Sequence, residues 1–142
     1  FKESLQKALR GMETGVAGLD PRLFVDGKPH QALSEEDSFE LKRQLREPKP
    51  DRIFYVADAL RAGWTAEYVH ELTAIDPWFL DQVLQLIEVE QTLTARGIEA
   101  LNAATLRRVK RMGFSDIRLA AVTNSTERSI RHLRRSLGVR PV

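Results

Sequence analysis

The feature that most restricts the fold of this chain is Ile75-Asp76-Pro77-Trp78-Phe79-Leu80, where a polar-capped start opens into the longest apolar-periodic run in the sequence. Asp76 is placed to accept from the free N–H groups of a first helical turn. Pro77 stands where a missing N–H costs nothing and a fixed φ suits a helix. The spacing predicts a helix from there to about Ala95. At about 100° per residue, Asp81, Gln85, Glu88 and Thr92 form one narrow polar stripe, while Phe79, Leu80, Val83, Leu84, Leu86, Ile87 and Leu93 cover the opposite half-turn. A helix apolar over that arc is expected to be packed on several sides, with the rest of the chain around it. Glu90 alone sets a carboxylate inside the arc, which a bond to an arginine or the wet end of the helix explains better than catalysis.

Glycine, proline and capping residues divide the rest of the 142-residue sequence into short helices. Phe1, Leu5, Ala8, Leu9 and Met12 make one stripe of a first helix to about Thr14, which Gly15 and Gly18 end. A turn-rich connection follows over residues 15–33, with Leu23-Phe24-Val25 as its apolar anchor. Ser34 caps a helix from Glu35 to Arg46 that Pro48 and Pro50 stop. Ile53, Val56, Ala57 and Leu60 mark another from about Asp51 to Ala62. Thr65 caps a third, Ala66 to Leu72, with Tyr68, Val69 and Leu72 inward. Past the central helix, Asn102 caps Ala103 to Met112, Ser115 caps Asp116 to about Val122, and Asn124 or Ser125 caps a last helix to Leu137. No run alternates as a strand does. The expected fold is all-α: an irregular bundle of about eight mostly short helices around the central one, in a single domain of residues 1–142, with a core anchored by Phe79 and the Ile53, Val56, Leu60 stripe.

With 42% hydrophobic and 30% charged residues the chain has the composition of a folded domain rather than a disordered one. It has no cysteine, so neither disulfides nor thiolate metal chemistry is available. No apolar run approaches a membrane span, and the Phe1-Lys2-Glu3 start is neither a signal peptide nor an initiator methionine, so the chain is expected to be cytoplasmic and cut from something longer. Charge is unevenly distributed: residues 1–106 carry 12 basic and 18 acidic side chains, residues 107–142 carry 10 basic and 2 acidic. A basic tail serves nucleic acid, an acidic partner, or docking on the acidic middle of the same chain.

Catalytic groups do not converge. His30, His70 and His132 fall in a loop, a short helix and a basic helix, with no metal-ligand spacing, and no phosphate-cradling glycine loop or nucleophile elbow is present. No catalytic, cofactor-binding or metal residue is assigned. One rival pattern runs from Leu119 to Leu133, where two short helices meet at an Asn turn and the second carries Arg128, Arg131, His132, Arg134 and Arg135. It has the cadence of a helix-turn-helix that binds nucleic acid, although Ser125 stands where DNA-reading turns place an apolar residue. A plain helical hairpin with Ile130, Leu133 and Leu137 in the core is the alternative.

The Glu35–Arg46 helix carries apolar groups on two faces. Leu41 and Leu45 lie on one side, and Phe39 points roughly 140° from their midline. A short peripheral helix buries only one such face in its own core, so Phe39, Leu41 and Leu45 are the candidates for self-association.

Phe1-Lys2-Glu3-Ser4-Leu5-Gln6-Lys7-Ala8-Leu9-Arg10, Asp51-Arg52-Ile53-Phe54-Tyr55-Val56-Ala57-Asp58-Ala59-Leu60-Arg61, Ile75-Asp76-Pro77-Trp78-Phe79-Leu80 and Gly113-Phe114-Ser115-Asp116 occur in this order, and the chain that contains them resembles the oligomerisation domain of the carbamoyl-phosphate synthase large chain. In that family two ATP-grasp synthetase halves flank an all-helical domain, an allosteric domain follows, and a glutaminase small subunit completes the enzyme. It makes carbamoyl phosphate from bicarbonate, glutamine-derived ammonia and two ATP, with a divalent metal, for arginine and pyrimidine synthesis. The resemblance implies that Phe1 to Arg10 leads out of the first half and Arg140-Pro141-Val142 into the second. It also implies that none of the family's ATP, metal or bicarbonate ligands falls on this chain, which would be a spacer and an association surface between large chains.

Overall fold

A computed structural model describes residues 1–12, 21–22 and 33–139. Except for Pro21, Arg22 and Leu33, the expected connection over 15–33 lies outside the described residues, as do His30, the side chains of Leu9 and Met12, and Arg140-Pro141-Val142. The described residues form eight α-helices and a short 3-10 turn, with no strand: α1 Lys2–Met12, α2 Glu35–Arg46, α3 Arg52–Arg61, α4 Ala66–Thr73, α5 Pro77–Arg96, the turn Gly97–Ala100, α6 Ala103–Arg111, α7 Asp116–Val122 and α8 Glu127–Ser136. The all-α expectation is borne out.

Side-chain caps fix most of the helix starts. Ser34, Thr65, Asn102 and Ser115 each accept from the backbone N–H three residues on, at 3.2, 3.1, 2.9 and 3.1 Å. Asp76 Oδ1 accepts from Trp78 N–H at 2.7 Å. The last helix differs from expectation, because its cap is Thr126, which accepts from Ser129 N–H at 3.1 Å. Asn124 is instead the left-handed residue of the preceding turn, at φ 54°. The Ser125 hydroxyl bonds Thr123 Oγ1 at 2.8 Å.

The chain divides into two compact units, Leu19–Ile87 and Phe1–Gly18 with Glu88–Val142. In the first, α2 packs on α3 and α4, and α3 on α4. Leu41, Leu45, Phe54, Val56, Ala57, Val69, Leu80 and Val83 are fully buried there. Phe79 and Ile53 are only half-buried, so they do not anchor the core as the spacing suggested. Tyr68 and Leu72 are likewise half-buried, whereas Thr73 is buried. On α3 the buried face is centred on Phe54, Ala57, Asp58 and Arg61, an i, i+3, i+4, i+7 stripe that contains a charged pair. Asp58 takes Arg61 Nη1–H at 3.1 Å and the backbone N–H of Arg22 at 2.9 Å, so two polar side chains complete an otherwise apolar stripe. The Arg22 guanidinium lies 4.4 Å over the Phe54 ring.

In the second unit the charges that looked available in the basic tail are partly consumed internally. Arg118 donates to Glu90, both buried, which answers the Glu90 question in favour of an arginine partner. Lys110 and Arg134 both reach the Asp116 carboxylate, at 3.1 Å each, tying α6, α7 and α8 together. Gln6 Nε2 donates to Met112 O at 2.9 Å, and α1 comes so close to the turn after α6 that a Cβ on Gly113 would stand 2.7 Å from Glu3 Cα. Gly113 also has φ +93°, so no other residue fits there without strain. Phe114 is buried beneath that turn.

Candidate association surface

The helix that carries the candidate residues is specified at both ends. Ser34 caps it, Glu35, Glu36 and Asp37 fill its first turn, and Arg43 and Arg46 its last, so both sets of charges complement the helix dipole. Leu41 and Leu45, four residues apart, are both 0% exposed. Burying them fixes the rotation of the helix and turns Phe39 outward, where the residue is 73% exposed, the highest value among the large hydrophobic residues described. Of the three association candidates the structure therefore leaves Phe39 at the surface, while Leu41 and Leu45 belong to the core.

Around Phe39 the surface is basic toward the C-terminal end of α2. Phe39, Lys42, Arg43, Arg46 and Glu47 line a shallow groove of about 200 Å³. Arg43 forks onto Glu40, with Nε–Oε2 at 3.0 Å and Nη2–Oε1 at 2.5 Å. That guanidinium, helped by the Gln44 amide at 2.9 Å, holds the Glu40 carboxyl down at about 2. The Glu47 carboxyl is lowered as well, chiefly by its hydrogen bond to Lys49. Lys42 Nζ stands 5.9 Å over the Tyr68 ring at one margin of the face. At the other end Glu35 and Glu36 are exposed. The six residues Glu35, Glu36, Phe39, Lys42, Arg43 and Arg46 recur at i−4, i−3, i, i+3, i+4 and i+7 about Phe39, one continuous stripe. Phe39 was legible in the sequence as an outlying ring, whereas the charged stripe around it was not singled out, although the same spacing places both on one face.

The arrangement is an exposed aromatic residue among charged side chains, a composition suited to contact with another surface. Among the described residues no group of three or more His, Asp or Glu side chains is poised to hold a metal ion. No described helix is long and apolar enough to cross a membrane. On α8 the outer face carries Arg128, Arg131, His132 and Arg135, with Arg131 bound to Glu127 at 2.7 Å, while Arg134, counted in the sequence among the phosphate-binding groups, is turned inward to Asp116.

The described elements define an all-helical domain whose α2 carries an exposed aromatic residue inside a charged stripe. The chain belongs to the family of the carbamoyl-phosphate synthetase large chain, oligomerisation domain, which matches residues 1–138. It is 54% identical over all 142 residues to the carbamoyl phosphate synthase large chain of Xanthomonas axonopodis pv. citri (strain 306), of which it covers 13%. It is 47% identical to that of Pseudomonas syringae pv. tomato (strain ATCC BAA-871 / DC3000), covering 13%, and 45% identical to that of Neisseria meningitidis serogroup B (strain ATCC BAA-335 / MC58), covering 12%, with all of this chain matched each time. The chain thus spans about one eighth of the length of these relatives. The family matched is an oligomerisation domain and not a catalytic one, and it displaces the helix-turn-helix reading of α7 and α8.

Proposed function

We propose that residues 1–142 act as one functional domain, a non-catalytic spacer and self-association unit of a glutamine-dependent carbamoyl-phosphate synthase large chain. The observation that carries this reading is the match of residues 1–138 to the oligomerisation domain, together with relatives that extend far beyond this chain. Synthetase halves on either side would bind ATP and the divalent metal, and a separate glutaminase subunit would supply ammonia. Carbamoyl phosphate made in the cytoplasm would feed arginine and pyrimidine synthesis, with effectors acting on another domain of the large chain. This chain's contribution is distance and attachment: rigid helices that separate the halves, and an exposed surface through which large chains meet.

The purified chain, incubated with ATP, magnesium, bicarbonate and ammonia, is expected to form no carbamoyl phosphate and release no phosphate above a blank. Turnover that follows the chain through purification would contradict the non-catalytic assignment.

A further inference from the structure

We infer that α2 pairs with α2 of a second copy of this chain, antiparallel about a two-fold axis beside Phe39, with Glu35 against the partner copy's Lys42 and Glu36 against its Arg43. The inference rests on the reading of the chain as a self-association domain and specifies its surface. Three observations lead to it. Phe39 is 73% exposed at the middle of a stripe whose N-terminal part is acidic and whose C-terminal part is basic. Leu41 and Leu45 are fully buried on the far side, so the helix cannot rotate to cover the ring. The charges are symmetric about Phe39 in sequence: Glu35 and Glu36 lie four and three residues before it, Lys42 and Arg43 three and four after.

Geometry then selects the orientation. At about 1.5 Å and 100° per residue, Glu35 and Lys42 lie on one flank of the stripe and Glu36 and Arg43 on the other. A two-fold axis that makes the helices antiparallel keeps each flank on its own side and reverses height. Glu35 of one copy then meets Lys42 of the other, and Glu36 meets Arg43, each pair within about 1.5 Å along the axis. The two Phe39 rings meet at the centre. A parallel pair would instead set Glu35 and Glu36 against their own kind, and Lys42 and Arg43 likewise, which repels. Arg43 forks onto Glu40 at the edge of the stripe, and Glu36 of the partner copy would approach the same guanidinium. A pair of 12-residue helices, each about 18 Å long, covers less than the roughly 1,200–2,000 Å² of a stable interface, so this contact alone is weak and salt-sensitive.

The chain has no cysteine, which allows a direct test. In a thiol–disulfide buffer at high protein concentration, F39C is expected to form a covalent dimer faster than S129C, a control on the exposed face of α8. Adding E36R or R43E to F39C is expected to slow cross-linking roughly tenfold, because two-fold symmetry inserts each repulsion twice. Combining E36R and R43E with F39C restores the opposite charges and is expected to restore the rate. Helical circular dichroism identifies any variant that fails to fold, and such a variant is replaced by E36Q or R43Q, each expected to slow cross-linking less. If wild type associates but F39C cross-links no faster than S129C, or the charge swap restores nothing, α2 pairing is overturned while the association reading stands. A wild type that stays monomeric at every concentration overturns both.

Discussion

At the residue scale the deciding quantity is which aromatic ring is buried. Phe54 is 0% exposed, whereas Phe79 is half-buried, although both lie on strongly apolar helical faces. Truncating a buried phenylalanine removes its transfer free energy and leaves a cavity, at about 3–5 kcal/mol. F54A is expected to lose that much in urea denaturation, and F79A clearly less; equal losses would mean that the core is not centred on α3. Their order was not legible in the sequence, because an apolar arc gives the direction of the core only to within about one residue, or about 100°. The polar members of the α3 stripe deepened the ambiguity. Asp58 and Arg61 neutralise each other in the interior, so the buried part of α3 takes in Phe54, Asp58 and Arg61 beside the expected Val56, Ala57 and Leu60.

At the scale of elements, local signals were legible and distant ones were not. A cap acts on an N–H two or three residues away, and most of the helix starts therefore stood where Ser34, Thr65, Asp76, Asn102 and Ser115 placed them. The two-faced character of α2 was legible for the same reason, since it depends only on spacing within one helix. Glu90 and Arg118 are 28 positions apart, and no periodicity names such a partner. The same is true of Asp116, which joins α6, α7 and α8. Burial alone would raise its carboxyl, but Lys110 and Arg134 together hold it below its ordinary 3.8. A carboxylate lowered in the fold stabilises above its unfolded value and loses that contribution as pH falls through the folded one. D116N is therefore expected to be less stable than wild type at pH 7, by about 1–3 kcal/mol, below the cost of breaking a fully buried pair because Asp116 keeps 15% of its side chain exposed. The gap is expected to close as pH is lowered below 3.8. A gap that persists unchanged in acid would mean that the charge on Asp116 does not hold the three helices together.

At the scale of the whole molecule, the described elements are all helices, and the role proposed for them is spacing and attachment. Composition and motifs pointed to no familiar catalytic site, and the family resemblance supplied the role, but Phe39 stood out as the exposed candidate only once burial of Leu41 and Leu45 had turned it outward. The basic tail, which suggested a nucleic-acid surface, is in part a structural device, with Arg118 and Arg134 turned onto Glu90 and Asp116. The central proposal is that this chain recognises itself. Sedimentation equilibrium over a wide concentration series measures that directly: the average mass is expected to rise reversibly from 16.2 kDa toward twice that value or more, and to fall back as salt is added. A mass that stays at 16.2 kDa at every concentration would contradict it.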